Sequence, residues 1–280
     1  KALNQAKNNG ACFAALIPAS ESLFNYYEGT NFISTFDYSK IKINKSQQST
    51  ANGQQLVSGC QILSHRVTES LSHQDDGELD FYQVYEYFNT KMRARNCCVQ
   101  HDEYDFGVIL KDLELFDNHL LVAKYGEDIC GLAFCYLRND EIFIKDVFAE
   151  STAIFTDLIT AAANIFENET INIIIPPVPG QKTHKLGMAR IIDAETMLRI
   201  YAMTHPKMKI EISIVDPILT QNNGTYYINN GELDKKNSIG ANVVDIEQLT
   251  QALFGYNIEN LPEKLQAFNK QAAFMSLMLD

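Results

Sequence analysis

The apolar positions at the start of the chain change period twice within forty residues. The opening stretch KALNQAKNN has helical composition and closes on Gly10, a residue suited to the left-handed position just past a helix. The unbroken apolar run from Cys12 to Ile17 reads as a buried strand. Ser20 then stands as N-cap of a second helix, SESLFNYYEG, with Leu23, Phe24 and Tyr27 on one face and Gly29 at its end. Alternation returns from Phe32 to Ile43 as one or two strands. Together these make half of an α/β domain. Neither a capping residue nor an initiator Met precedes the first helix, so the pattern suggests that an N-terminal portion lies upstream.

The polar stretch from Asn44 to Gln55 has no side chain able to anchor a core and reads as an interdomain linker. Beyond it, Leu79 to Arg95 and Tyr104 to Phe116 carry helical periodicity. A meander follows, His119 to Lys124, Ile129 to Leu137 and Glu141 to Val147, broken at Gly126 and at Arg138-Asn139-Asp140. A helix from Thr152 to Glu167 leads into the short strand Ile171 to Ile175 and a rigid proline-rich loop, Pro176 to Gly180. From Gly187 the order becomes strand (Met188 to Ile192), helix (Ala194 to Tyr201) and three strands (Lys209 to Val215, Thr225 to Asn229, Ala241 to Val244). A helix capped by Asp245 then runs to Phe254. Asn223-Gly224 and Asn230-Gly231 are the turns in this third, α+β segment.

Composition narrows the function classes. With 280 residues and 46% apolar side chains, the chain can build two or three cores. Its formal net charge of −12 leaves no surplus of Lys and Arg to displace phosphate counterions, which argues against nucleic acid and leaves cationic partners open. The same charge also serves simply to keep a protein soluble. Six cysteines lack the spacing of a disulfide framework, which points to a reducing cytoplasm. No apolar run approaches the roughly 20 residues that span a bilayer, so no membrane partner is expected.

The segment Phe13 to Phe32, FAALIPASESLFNYYEGTNF, resembles the last third of a GCN5-related N-acetyltransferase domain. In that family a strand ending at the acetyl thioester precedes a helix whose Tyr comes before a Gly-Phe pair. The stretch GMARIID (187–193), the NNGTYYINNG hairpin and the VVDIEQLTQALFG helix resemble the sterol-carrier-like C-terminal domain of the enhanced intracellular survival type. The resemblance implies α/β and α+β classes in three parts: 1–44 as the C-terminal portion of a catalytic acetyltransferase domain, 45–186 as a second, degenerate one, and 187–280 as the sterol-carrier-like domain. It also implies acetyl-CoA as co-substrate, a small-molecule or exposed lysine amine as acceptor, and a homo-oligomer. The family's glycine-rich phosphate loop would lie upstream of Lys1. No such loop precedes Thr152, so the second domain is not expected to bind coenzyme A in the usual way.

Acetyl transfer to an amine needs a neutral nucleophile, support for the oxyanion and a proton for the departing thiolate. By the resemblance Tyr27 is the acid, since a phenol and a thiol have similar proton affinities. Taken alone, Tyr27 reads equally as core packing, with Tyr26 facing elsewhere. Ser20 replaces the Asn often found seven residues before that Tyr, and Asn31 replaces the Gly of the Gly-Phe pair; Ser20 is the candidate cofactor contact. The family's terminal carboxylate acts as base, which makes Asp280 the second catalytic candidate, with Phe274, Leu277 and Leu279 docking the tail; an apolar tail packed on the third domain is the alternative. Cys97, Cys98 and His101 have metal-like spacing but lack a second ligand pair, and His73 to Gly77 lacks the length of a calcium loop, so no metal is assigned. The competing function is a non-catalytic binding module whose sterol-carrier-like domain encloses an apolar ligand.

Overall fold

A computed structural model describes residues 1–44, 58–65, 79–95, 97–114, 118–167 and 170–277. Of the expected linker Asn44 to Gln55, all but Asn44 lies outside them, as does the acidic turn His73 to Gly77. Helix α1 (Ala2–Asn8) is followed by β1 (Phe13–Leu16), α2 (Glu21–Glu28) and one long strand, β2 (Ile33–Asn44). Next come β3 (Gln61–His65), which the apolar pattern misses, and helices α3 (Phe81–Arg93) and α4 (Glu103–Glu114). Asp80 starts α3 by accepting the Tyr82 amide, which satisfies one of the donors orphaned at a helix start. Val84, Phe88 and Met92 recur at the four-residue spacing of its buried face.

The meander is β4 (His119–Tyr125), β5 (Asp128–Arg138) and β6 (Glu141–Ala149). Asn139 and Asp140 both take positive φ, 50° and 60°, as a tight primed turn between twisted strands requires. Helix α5 (Thr152–Ile165), β7 (Thr170–Ile175) and β8 (Thr183–Ile191) follow. The last part holds α6 (Ala194–Thr204), β9 (Ile210–Val215), β10 (Gly224–Asn229), β11 (Glu232–Lys236), β12 (Val243–Asp245) and α7 (Ile246–Leu253). Strand β11, with its sequence ELDKK, carries too little apolar alternation to be read from sequence. Asn230 and Gly231, at φ 53° and 80°, close its hairpin with β10.

Contacts divide the chain into two compact units, Lys1–Asp37 with Lys185–Ala273, and Tyr38–His184 with Phe274–Asp280. In the first, β8 lies between β1 and β2, and Phe13 to Leu16 pair antiparallel with Ile191 to Met188. The strand that the sequence groups with the third segment is therefore paired with the first. The same unit holds a four-stranded sheet in the order β11-β10-β9-β12, where only the β9 to β12 pairing is parallel. In the second unit the strands run β2-β7-β6-β5-β4-β3. Their one parallel pair, β6 with β7, spans only Ile142 to Ile144.

Helix α5 packs one face of that second sheet, burying Ile154, Leu158, Ile159, Ala162 and Ala163. Gly131 on β5 permits the approach, because a Cβ there would lie 2.8 Å from Ile154 Cγ2. Helices α3 and α4 cover a separate cluster in which Phe88, Phe106, Phe134 and Phe148 meet in stacked and edge-on contacts. Cys60, Cys130 and Cys135 are buried, and all six cysteines are free thiols. Burial pushes the Cys130 thiol up to about 12, with Cys60 3.3 Å away adding to it, so it packs as a small protonated hydrophobe.

Candidate active site

Tyr27 lies near the C-terminal end of α2, half-buried, while its neighbour Tyr26 is exposed. Its ring stands edge-on to Phe32 at 5.8 Å and to Tyr26 at 5.2 Å. The turn after the helix fixes this geometry. The Tyr27 carbonyl accepts from the Thr30 amide at 2.9 Å, the Thr30 hydroxyl at 2.9 Å and the Phe32 amide at 3.2 Å. The left-handed residue of this turn is Asn31, at φ 62°, and not Gly29, which stays right-handed at φ −60°. Asn is the side chain that best tolerates that region after Gly, so the exchange of Gly for Asn keeps the turn.

Ser20 does take the N-cap position of α2, but its hydroxyl caps nothing and instead shares a 3.0 Å bond with Ser22. The expected capping bond is absent because the short Ser22 side chain competes for the same hydroxyl. Ser20 is exposed and stands about 10 Å along the helix axis from Tyr27. Asp280 lies outside the described residues. The tail before it is docked: Phe274 and Leu277 are buried within the second unit, and not on the third segment as the alternative reading has it.

Sequence reasoning missed the residues that hold the Tyr27 turn. Arg190 on β8 is fully buried and donates through Nε to the Thr30 carbonyl at 3.0 Å. Its Nη1 reaches the Ile191 carbonyl at 2.9 Å and its Nη2 reaches Asp216 at 2.7 Å. Asp216, also fully buried, accepts from the Ile218 and Leu219 amides and from Asn222 Nδ2. The Asn31 amide donates to Glu247 at the start of α7. A Gly at position 31 could not make this last contact. Nearby in the same unit, Tyr256 reaches both Asp37 oxygens at 3.4 Å, and burial followed by the Asp37 charge raises its phenol to about 12.

In the second unit, Ser151 closes the N-terminus of α5 by accepting the Ile154 amide at 3.2 Å. Glu150 beside it pairs with Lys91 at 2.5 Å. The Ser151 hydroxyl and the Glu150 carboxylate thus occupy the start of α5. His101 is buried and spends Nε2 on the Ser276 carbonyl, while Cys98 donates to the Met92 carbonyl. Among the described residues no group of three or more His, Cys, Asp or Glu side chains is arranged to hold a metal ion.

Residues 194–270 match the family model described as a sterol carrier protein domain. Among solved structures the chain resembles GCN5-related N-acetyltransferases from Anabaena variabilis ATCC 29413 (TM-score 0.68, 13% identity, 98% of this chain and 74% of that one) and from Kribbella flavida (0.65, 16%, 99% and 74%). The fold is that of the GCN5-related N-acetyltransferases. Eis1 from Mycobacterium abscessus shares it as well, with TM-score 0.57 and 12% identity over 99% of this chain and 74% of that one. No curated protein matches the chain in sequence. Among the described residues no helix is long and apolar enough to cross a membrane.

Proposed function

We propose that the chain belongs to an enzyme that transfers an acetyl group from acetyl-CoA to a primary amine, with Tyr27 as general acid. The observation that carries the proposal is the turn after α2. There Tyr27 is held half-buried by the Thr30, Asn31 and Arg190 contacts, within a fold shared with acetyltransferases. The neutral amine attacks the thioester carbonyl, a C–N bond forms and the C–S bond breaks. The Tyr27 hydroxyl then hands its proton to the departing thiolate, and the α-carboxylate of Asp280 takes the proton released by the amine. The negative balance of the chain suits a cationic acceptor, a polyamine, an aminoglycoside or an exposed lysine. On this reading residues 1–44 and 45–186 are the catalytic remnant and its degenerate partner, and residues 187–280 serve as a wall of the active site in place of a ligand carrier. The free thiols suit a cytoplasmic protein.

The test measures thiol release from acetyl-CoA with a panel of such amines, using the intact gene product and residues 1–280 side by side. Tyr27→Phe is expected to lower kcat by about 10²-fold or more with little change in KM for acetyl-CoA. Activity retained within about threefold in that variant would refute the acid role. Residues 1–280 alone are expected to bind acetyl-CoA weakly; tight binding would contradict a phosphate loop upstream of Lys1. Sedimentation velocity of the gene product decides whether it is a homo-oligomer.

The sterol carrier match favours a second reading, in which that domain encloses an apolar ligand. Its interior argues for the wall instead, since Arg190, Asp216, Asn222, Ser213, Thr225 and Thr250 are all buried there and an apolar tunnel would strip them of partners. A lipid retained in native mass spectrometry would reverse that preference.

A further inference from the structure

Strand β7 reads TINIII, a single amide among isoleucines. Ile171 and Ile173 belong to the cluster under α5, so the two-residue period of a strand turns Asn172 and Ile174 to the opposite face of the sheet. Asn172 is fully buried there. Its Nδ2 donates to Glu141 Oε2 at 3.1 Å and to the Ile142 carbonyl at 3.5 Å. Both of these are acceptors, so the amide cannot be turned round. Its Oδ1 has no hydrogen-bond partner among the described residues. Unpartnered buried acceptors are rare, because a polar group taken from water without a replacement keeps the full cost of the loss. A fifth isoleucine in this strand would have avoided that cost.

The strands on either side of this atom carry opposite charges. On one side β2 brings Lys40 and Lys42, both exposed, and Lys42 stands directly opposite Asn172. On the other side β6 brings Glu141 and Phe143, with Phe143 beside Asn172 in the register. Lys40 lays its ammonium over the Phe143 ring, 5.1 Å from the centroid, instead of on the Glu141 carboxylate. The three strands span about 10 Å, a width that the Lys and Glu side chains narrow to that of one small head group. Cations, an unpartnered acceptor and a carboxylate therefore follow one another across a single sheet face.

We propose that this face of the second unit binds a free α-amino acid with an apolar side chain. Its ammonium donates to Asn172 Oδ1 and to Glu141, its carboxylate pairs with Lys40 and Lys42, and its side chain lies on Ile174 and Phe143, both half-buried on that face. A plain anion would suit the lysines but meet the Glu141 carboxylate, and a plain amine would meet two ammonium groups; a ligand with both charges answers both. Because Oδ1 is buried, the ligand enters as Lys40 and Lys42, the long flexible side chains of the face, swing aside. The site lies wholly within the second unit and owes nothing to acetyl transfer.

Calorimetric titration of the intact gene product with phenylalanine and with leucine tests the proposal, beside phenylpropionate, which lacks the ammonium, and phenylalaninamide, which lacks the carboxylate. Saturable binding of the amino acids is expected, weakened about tenfold or more in each analogue by the loss of a charge-assisted contact. Lys42→Ala changes an exposed side chain, and Asn172→Leu puts an apolar group where the strand already favours one, so melting temperatures should hold while each variant binds phenylalanine about tenfold or more weakly. If Asn172→Leu does not fold, Lys42→Ala alone decides. No binding of either amino acid up to about 10 mM overturns the site. Phenylpropionate bound as tightly as phenylalanine makes the face a plain anion patch and overturns the assignment. Phenylalanine binding that survives both substitutions lies elsewhere, as an acceptor amine beside Tyr27 would, and overturns the site while leaving the proposed acetyl transfer standing.

Discussion

Asp216→Ala should be among the most damaging single changes in the first unit, and the structure gives its size. The carboxylate has no exposed surface and accepts from Arg190, two backbone amides and Asn222. Removing it leaves the fully buried Arg190 guanidinium without its counter-charge, which costs about 3–5 kcal/mol. The Ile218 and Leu219 amides lose their acceptor too, adding roughly 1 kcal/mol each. The sum, about 5–7 kcal/mol, rivals the whole stability of a typical domain. Urea titration followed by far-ultraviolet circular dichroism, with the slope checked for constancy, measures it. Arg190→Met combined with Asp216→Ala should recover about 2 kcal/mol or more relative to Asp216→Ala alone, because the stranded charge is gone. A loss below about 1 kcal/mol, or a double variant no more stable than the single one, would refute the reasoning.

Two further predictions come from the same unit. Tyr256 has its phenol raised to about 12 from 10, by burial first and by Asp37 next, so the folded state favours its protonated form. Its stabilising contribution is full below pH 10 and is lost as pH rises from 10 to about 12. At roughly 1.4 kcal/mol per pH unit, halved for solvent screening, the rise from 10 to about 12 amounts to about 1.4 kcal/mol, and Tyr256→Phe should flatten this part of the alkaline decline in urea midpoints. Gly255→Ala should cost more than about 3 kcal/mol, because at φ 68° a Cβ would lie 2.3 Å from the Gln271 nitrogen and 2.7 Å from the Asn269 oxygen. Gly10→Ala, at φ 86° with nothing within 4 Å, isolates the conformational part of that cost; equal drops in melting temperature for the two would sink the steric account.

Much of the local structure was legible because it depends on neighbours in sequence. Periodicity located α3, α4 and α5 to within a few residues, and Asn230-Gly231 marked a hairpin whose positive φ values only such residues accept at low cost. Strand β3 was not legible, since QILSH is short and its partner β4 lies some sixty residues on. Pairing of β8 with β1 was equally hidden. The run LGMARI suits a strand in either sheet, and only the register of Met188 to Ile191 against Leu16 to Phe13 assigns it.

The candidate site divides along the same line. Tyr27, the helix that bears it and the turn after it are local, and they were read from twenty residues; what holds them is not local. Arg190 reaches Thr30 from 160 positions away and Glu247 reaches Asn31 from 216. A lone Arg in GMARIID looks like one more surface charge until Asp216 and the Thr30 carbonyl appear beside it. This distance also explains how the departure from Gly at position 31 is accommodated. The left-handed turn costs Asn little, and the side chain that Gly lacks gains a bond to the start of α7. The turn that orients Tyr27 is therefore secured by the C-terminal part of the chain as well as by its own backbone. Loosening Arg190 or Glu247 should disturb the tyrosine without touching it.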